Sequence, residues 1–267
     1  MQAGTTDAVT MPNARAREGG RRRPPAPPPV VLVHGSRTSR TMWRRQLSSL
    51  GAAGVAAVAV DLPGHGERRA EPFTLDGAVD AVRDGVHALG GRALVAGLSL
   101  GGYLAIEHRA RHPAECAGVV AAACSTPTSS PLRPAWLRLA RWIEGWPDHG
   151  AWLNDTFVRL LLTTEGADDL GAGGFALTSM AQVLGEVARI DTLAALRTGS
   201  GPMWFVNGRY DHFRGSERAM LDAVRAGGAT ARLVVVPGAR HLVSLDAPVT
   251  FTRTLLEAVA AVELPVA

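Results

Sequence analysis

Three residues that lie far apart in the sequence have the types and positions that nucleophilic catalysis requires. The first is Ser99, at the centre of the pattern Gly97-Leu98-Ser99-Leu100-Gly101, which follows a short apolar run and precedes a segment of helical spacing. A G-x-S-x-G pattern in that setting is typical of a tight strand-to-helix turn that exposes a serine hydroxyl. Glycines suit such a turn because a Cβ there would collide with neighbouring backbone. The pattern predicts Ser99 as a nucleophile.

A serine hydroxyl needs a histidine base, and that histidine needs a carboxylate to hold its tautomer. Asp211 comes shortly after the apolar segment 203–206, and His241 comes shortly after the apolar segment 233–236. The carboxyl ends of parallel strands meet at one edge of a sheet, which is where ligands bind. The chain order serine, aspartate, histidine is also typical of the strand-turn-serine-helix architecture. We therefore expect Ser99, Asp211 and His241 to lie together.

Apolar segments and helical segments alternate along most of the chain. Strands are predicted at 30–33, 55–60, 93–96, 119–123, 203–206 and 233–236, and helices at 41–50, 75–89, 100–112, 217–226 and 248–262. This alternation predicts an α/β fold, a mostly parallel β-sheet flanked by helices on both faces. Between 125 and 197 the alternation stops and helical spacing takes over.

The predicted organisation has three parts. Residues 1–29 form an Arg/Pro-rich N-terminal segment that contains at most a short edge hairpin, within 5–18. Residues 30–124 and 198–267 form the α/β core, and residues 125–197 form an inserted helical cap.

Composition excludes several classes of protein. The net charge is +4, but residues 1–29 carry five Arg against Asp7 and Glu18, so about +1 is left for the rest, and no nucleic-acid partner is expected. No apolar run has the length of a membrane span, so no membrane partner is expected. Cys116 and Cys124 flank an extended apolar run, too far apart for a disulfide. With no secretory leader pattern, we expect a cytoplasmic monomer or homodimer.

With these motifs the chain resembles the serine hydrolases of the α/β-hydrolase fold that carry a helical cap. The resemblance runs from about residue 30 to 262 and rests on five motifs in order: His34-Gly35, the loop 61–66, the pentapeptide around Ser99, Gly208-x-x-Asp211 and Gly238-x-x-His241.

The resemblance implies a role for each matching residue. Ser99 would be the nucleophile, His241 the general base and then acid, and Asp211 its orienting partner. The backbone N–H groups of Leu100 and Ser36 would form the oxyanion hole.

Other titratable residues are weaker candidates. His212, next to Asp211, is kept as a substrate contact, whereas the six remaining histidines are expected to be non-catalytic. Asp61 could be a second acid, although its motif more often fixes a loop. Some relatives carry the carboxylate partner of the histidine at the position where this chain has Ser125. No His or Cys spacing indicates a metal site and no phosphate-binding loop follows a strand, so neither metal nor cofactor is expected.

Single residues of the sequence argue against several of the reactions that proteins of this fold catalyse. Dehalogenases and epoxide hydrolases of this fold have Asp at the position of Ser99, hydroxynitrile lyases rely on a lysine that this chain lacks, and C–C hydrolases usually carry Trp where Leu242 stands. Proline-specific peptidases tend to have Trp after the serine, where this chain has Leu100. Hydrolysis of a small, partly apolar ester or lactone remains, with Trp136 and Trp142 as candidate substrate contacts. A thioesterase, a perhydrolase or a non-catalytic receptor stays open.

Overall fold

The computed structural model describes residues 26–129 and 133–262, so the hairpin predicted within 5–18 lies outside the described residues. Six strands form one sheet in the order β2-β1-β3-β4-β5-β6, and every pairing is parallel. The strands are β1 (Val30–Val33), β2 (Ala57–Val60), β3 (Ala93–Leu98), β4 (Cys116–Ala122), β5 (Met203–Gly208) and β6 (Ala231–Val236). The predicted parallel α/β sheet is confirmed.

Helices cover both faces of the sheet. They are α1 (Arg44–Ala52), α2 (Leu75–Ala88), α3 (Leu100–Arg111), α4 (Arg133–Glu144), α5 (Ala151–Leu161), α6 (Thr164–Gly171), α7 (Met180–Val187), α8 (Thr192–Thr198), α9 (Glu217–Ala226), α10 (Val243–Asp246) and α11 (Pro248–Ala261). Among the described residues, no helix is both long and apolar enough to cross a bilayer.

The core consists of two apolar layers, one on each face of the sheet. Helices α2, α3, α8 and α9 pack on one face, and α1 and α11 pack on the other. In the second layer the buried ring of Trp43 stacks on Phe251 at a centroid distance of 5.7 Å. Because apolar helices shield both faces, the strands can be apolar on both sides, as their uninterrupted apolar segments predict.

The strand order reverses between β1 and β3, since β2 lies on one side of β1 and all later strands lie on the other. In open parallel sheets, ligands bind beyond the carboxyl ends of the strands at such a reversal. The residues that follow β1 and β3 are the His34-Gly35 motif and Ser99. The topology therefore brings the His34-Gly35 motif and Ser99 to the edge of the sheet where a ligand site is expected.

The segment Arg133–Thr198, here called the helical insertion, contains the five helices α4 to α8 between β4 and β5. The apolar spacing of the sequence predicts α4, α5 and α7; α6 has too few apolar residues to show such spacing, and α8 has only seven residues. Arg109 of α3 holds the chain between α8 and β5, where it leaves the helical insertion for the sheet. Its guanidinium donates to the carbonyls of Leu196, Ser200 and Gly201 at 2.8–3.2 Å. The domain boundaries at 125 and 197 stay predictions.

Candidate active site

Ser99 lies on a strained turn between β3 and α3. Its φ of 54° and ψ of −112° are in a region that side-chain-bearing residues rarely adopt, at a cost of roughly 1–3 kcal/mol. A Cβ at Gly97 would lie 2.0 Å from the carbonyl oxygen of Gly101, and one at Gly101 would lie 2.2 Å from the carbonyl oxygen of Val33. Both glycines are therefore required for the turn to exist. The turn leaves Ser99 partly exposed beside a buried helix start.

The side chains of His241 and Asp211 are within hydrogen-bond distance of one another and of Ser99. His241 Nε2 is 3.1 Å from Ser99 Oγ, and His241 Nδ1 is 3.0 Å from Asp211 Oδ1. Ser99 Oγ–H can therefore donate to Nε2 while Nδ1–H donates to the carboxylate, the tautomer that general-base catalysis needs. Ser99 is 142 residues from His241 in the sequence and Asp211 is 30 residues from it, and the parallel sheet brings the three together.

Asp211 is held ionised in a buried position. Burial alone would raise the pKa of its carboxyl, but the hydrogen bond and charge of His241, together with the Phe213 N–H at 2.9 Å from Oδ1, outweigh burial and lower the pKa. A carboxylate that is both buried and charged can stabilise an imidazolium that forms beside it.

Close contact between two loops brings Asp211 to His241. The Tyr210 N–H donates to the carbonyl of Ala239 at 3.0 Å, which joins the loop after β5 to the loop after β6. A Cβ at Gly208 would lie 2.1 Å from the carbonyl oxygen of Arg240. The glycine in the Gly208-x-x-Asp211 motif is thus needed for the approach of the two loops.

The peptide between Gly35 and Ser36 is fixed in orientation beside Ser99. A Cβ at Gly35 would lie 3.8 Å from Ser99 Cβ. The Gly35 carbonyl accepts hydrogen bonds from His34 Nδ1 at 2.7 Å and from Thr38 Oγ1 at 2.9 Å. In a trans peptide the C=O and the following N–H point in opposite directions. Anchoring the Gly35 oxygen therefore directs the Ser36 N–H the other way.

The tautomer of His34 follows from its two partners. The Leu62 N–H donates to His34 Nε2 at 3.0 Å, so the ring proton is on Nδ1, where it donates to Gly35. Complete burial, together with the neighbouring ring of His65, lowers the pKa of His34 to about 3. His34 is therefore neutral and positions the backbone, and does not transfer protons at neutral pH.

Within the described residues, two backbone N–H groups near Ser99 have no acceptor. The Leu100 N–H is in the first turn of α3, where no acceptor exists within the helix. Among the described residues, the Ser36 N–H likewise has no hydrogen-bond partner. Both can bind an external oxygen, and the N-terminus of α3 favours negative charge.

The other predicted candidates have different environments. Asp61 accepts hydrogen bonds from the backbone of Arg40 and Glu67 and from the Arg40 guanidinium, at 2.7–3.0 Å, and so fixes the loop 61–66. Ser125 Oγ accepts a hydrogen bond from Asn207 Nδ2 at 2.9 Å, which links the ends of β4 and β5.

His212 lies beside the catalytic candidates. Its ring centroid is 5.1 Å from that of His241, and the ring of Phe213 is also 5.1 Å from His241. Burial and the charge of His241 lower the pKa of His212. His212, His241 and Asp211 each offer one potential metal-ligand atom, all within 4.8 Å of one another. Because His241 Nδ1 is hydrogen-bonded to Asp211 and its Nε2 to Ser99, both ring nitrogens are already in use, and we assign no metal here.

The two tryptophans predicted as substrate contacts lie on α4 with more than half of each residue exposed. A ring in a closed pocket would be shielded from water, so substrate contact by Trp136 and Trp142 stays a prediction. The insertion does reach the site through Met180, whose Sδ is 3.6 Å from Ser36 Oγ. Sequence reasoning missed Met180, Thr38 and Phe213. Of these three residues, only Phe213 could have been inferred from the sequence, because it lies two positions after Asp211.

The profile of the Alpha/beta hydrolase family matches residues 30–254. No protein with a curated description matches the chain in sequence.

Many solved structures have the same fold. A thermophilic esterase from Thermogutta terrifontis, solved with malate bound, is 24% identical, with a TM-score of 0.72 over 88% of this chain and 90% of the esterase. The enol-lactonase from Burkholderia xenovorans LB400 is 19% identical, with a TM-score of 0.70 over 88% and 92% of the two chains. A putative non-heme bromoperoxidase, BpoC from Mycobacterium tuberculosis H37Rv, is 19% identical, with a TM-score of 0.72 over 89% and 93%. At these identities the likeness concerns the fold.

Proposed function

Because the chain belongs to the α/β-hydrolase family, we propose that it is a serine hydrolase that cleaves a carboxylic ester or lactone through an acyl-enzyme on Ser99. The observation that carries this proposal is the continuous hydrogen-bonded series from Ser99 Oγ to His241 to Asp211, at 3.1 and 3.0 Å. Structural neighbours that include an esterase and an enol-lactonase support the choice of an ester bond.

In the first half of the reaction, Ser99 Oγ attacks the ester carbonyl carbon while His241 Nε2 takes the hydroxyl proton. The negative charge that develops on the carbonyl oxygen is held by the N–H groups of Leu100 and Ser36. The imidazolium is stabilised by ionised Asp211. His241 then gives its proton to the leaving alkoxide, and the acyl group stays on Ser99.

In the second half, a water donates its proton to His241 Nε2 and attacks the acyl carbon. The tetrahedral intermediate uses the same two N–H groups, and its collapse releases the acid and returns the proton to Ser99. A lactone would follow the same steps, with its alcohol remaining attached to the acyl chain. The helical insertion would act as the cap of the site, which the contact between Met180 and Ser36 supports.

Hydrolysis of short p-nitrophenyl esters and simple lactones tests this proposal. Wild-type protein should release p-nitrophenol, and Ser99→Ala should lower kcat by about 10⁴ or more, since a triad without its nucleophile keeps only residual catalysis. Ser48→Ala, an exposed serine of α1, is the matched control and should keep wild-type kcat. Full activity in Ser99→Ala would contradict the proposal.

The same assay separates the competing functions. A receptor would bind an ester saturably without releasing alcohol and would not react with a fluorophosphonate. A thioesterase would prefer acyl thioesters of matched chain length, and a perhydrolase would form peracid when hydrogen peroxide is added. All the catalytic alternatives require Ser99, so the Ser99→Ala variant does not distinguish them, whereas the substrate panel and the peroxide test do.

A further inference from the structure

The outer faces of α4 and α5 carry most of the exposed apolar side chains in the described part of the chain. Of nine large exposed apolar residues, seven are on these two helices. They are Trp136, Leu139, Trp142, Trp152, Phe157, Leu160 and Leu161, here called the apolar surface. Scattered exposed apolar residues are normal in soluble proteins, but a concentration of this kind marks a site of interaction.

The apolar residues share helix faces with arginines. On α4, Leu139 and Arg138 lie three and four residues before Trp142, which places all three on one face. On α5, Arg159 and Leu160 lie seven and eight residues after Trp152, which places them on the same stripe of the helix two turns further on. Both helices thus present apolar rings and guanidinium groups together to solvent.

The acidic residues Glu144 and Asp148 keep their charge, but both are hydrogen-bonded to backbone N–H groups. Glu144 accepts the Ala181 N–H at 2.8 Å, and Asp148 accepts the N–H groups of Gly150 and Trp152 at 3.0 and 2.9 Å. Within residues 26–129 and 133–262, no ion pair includes the arginines 138, 141 or 159. Residues 133–161 carry four Arg against three acidic residues, so this apolar segment has a formal net charge of +1.

We propose that the apolar surface of α4 and α5, with Arg138, Arg141 and Arg159, docks on an anionic phospholipid bilayer. Tryptophan and leucine on the outer face of an interfacial helix insert at the level of the headgroups, while arginines contact lipid phosphates. Each arginine near an anionic leaflet adds electrostatic attraction. The sequence alone predicted no membrane partner; the side-chain exposure described here is what argues for a peripheral one.

A second copy of the chain fits this surface less well. In a two-fold dimer the same patch lies on both subunits. Arg138, Arg141 and Arg159 would then be present on both sides of the contact, against Asp155 as the exposed acid of α4 and α5 in the described structure. An anionic bilayer supplies the opposite charge without this repulsion.

Co-sedimentation of the full chain with lipid vesicles tests the proposal. Wild-type protein should bind vesicles of equimolar phosphatidylcholine and phosphatidylglycerol at least ~10-fold more strongly than pure phosphatidylcholine, and salt should weaken the binding. The double variant Trp152→Ser/Leu160→Ser should lose ~10-fold or more in partition, and Arg138→Gln/Arg141→Gln/Arg159→Gln should lose the preference for the anionic lipid.

The matched control removes two side chains of similar fractional exposure elsewhere. Trp152 and Leu160 are 70% and 74% exposed, and Tyr210 and Val249, outside the helical insertion, are 69% and 72% exposed. Tyr210→Ser/Val249→Ser should bind vesicles as wild type does. Unchanged binding in Trp152→Ser/Leu160→Ser would overturn the proposal. So would a wild-type protein that binds no vesicles and instead dimerises through this surface, as shown by its mass in solution.

Discussion

Two tryptophans show how the sheet core and the helical insertion differ. Trp43 is fully buried on one face of the sheet and stacks on Phe251, whereas 70% of Trp152 on α5 is exposed. A tryptophan therefore stabilises the fold by packing in the sheet core, whereas in the helical insertion its ring is mostly in contact with water. The core determines where Ser99, His241 and Asp211 lie, and the insertion presents much of its apolar surface outward. Stability and the proposed chemistry should therefore depend on the core, and recognition of larger partners on the insertion.

The strongest test of this comparison uses two buried carboxylates of the core. Asp211→Asn should lower kcat for an ester by about 10³ to 10⁴ at neutral pH, because an amide favours the wrong histidine tautomer, and should leave the fold intact. Steady-state kinetics with a thermal melt measures both effects.

Asp61→Asn should instead lower the stability of the fold and leave kcat nearly unchanged. Asp61 accepts hydrogen bonds from Arg40 and from the backbone N–H of Glu67, directly after the loop 61–66, so its loss should lower the free energy of unfolding by about 2–4 kcal/mol. The kcat of the folded fraction should stay within about 3-fold of wild type. If Asp61→Asn lost activity as Asp211→Asn does, the assignment of the acid would be wrong.

Replacement of the two tryptophans compares the two regions directly. Trp43→Ala should lower the free energy of unfolding by about 3–5 kcal/mol, because it leaves a cavity against Phe251. Trp152→Ala should lower it by less than about 1 kcal/mol, since its ring is mostly in water. Urea denaturation of both variants gives the values, and equal losses would contradict the contrast between core and insertion.

Acid should destabilise the core through buried neutral histidines. Burial lowers the pKa of His108 to about 4, despite the hydrogen bond with Glu115, from an ordinary value of 6.5. Between these two values the unfolded chain binds the extra proton, so the stabilisation present above pH 6.5 is lost as the pH falls towards 4.

The size of this effect can be measured by comparing urea denaturation at pH 7 and pH 5. His108 should account for a loss of about 2 kcal/mol in the free energy of unfolding, and His34, with a pKa of about 3, for a similar amount. His108→Gln should show about 2 kcal/mol less pH dependence than wild type. An unchanged difference between the two pH values would show that His108 is not held neutral.

The smallest predicted effect concerns the anchored peptide beside Ser99. Thr38→Val keeps the shape of the side chain but removes one of the two hydrogen bonds to the Gly35 carbonyl. The Ser36 N–H would then be less well oriented in the transition state, so kcat should fall about 10-fold with little change in KM. A rise in KM at constant kcat would instead indicate a role in binding substrate.

The sequence allowed prediction of the parts of the fold that local rules determine. Continuous apolar segments predicted all six strands, and the glycines around Ser99 predicted a turn that the structure has at φ 54°. Residues whose effect arises from long-range geometry were not predictable. Thr38 orients the peptide after Gly35 by a hydrogen bond to its carbonyl, and Arg109 donates to carbonyls about 90 residues away in the sequence. The exposure of Trp136 and Trp142 depends on how α4 packs, which helical spacing alone does not determine.

Identification of the residue that a fluorophosphonate modifies tests the central claim most directly. The native protein is incubated with the probe and digested, and the modified peptide is sequenced by mass spectrometry. The account predicts a single adduct on Ser99, formed in step with the loss of ester hydrolysis and much more slowly in His241→Ala. Complete inactivation with Ser99 unmodified, or undiminished hydrolysis with Ser99 fully modified, would contradict it.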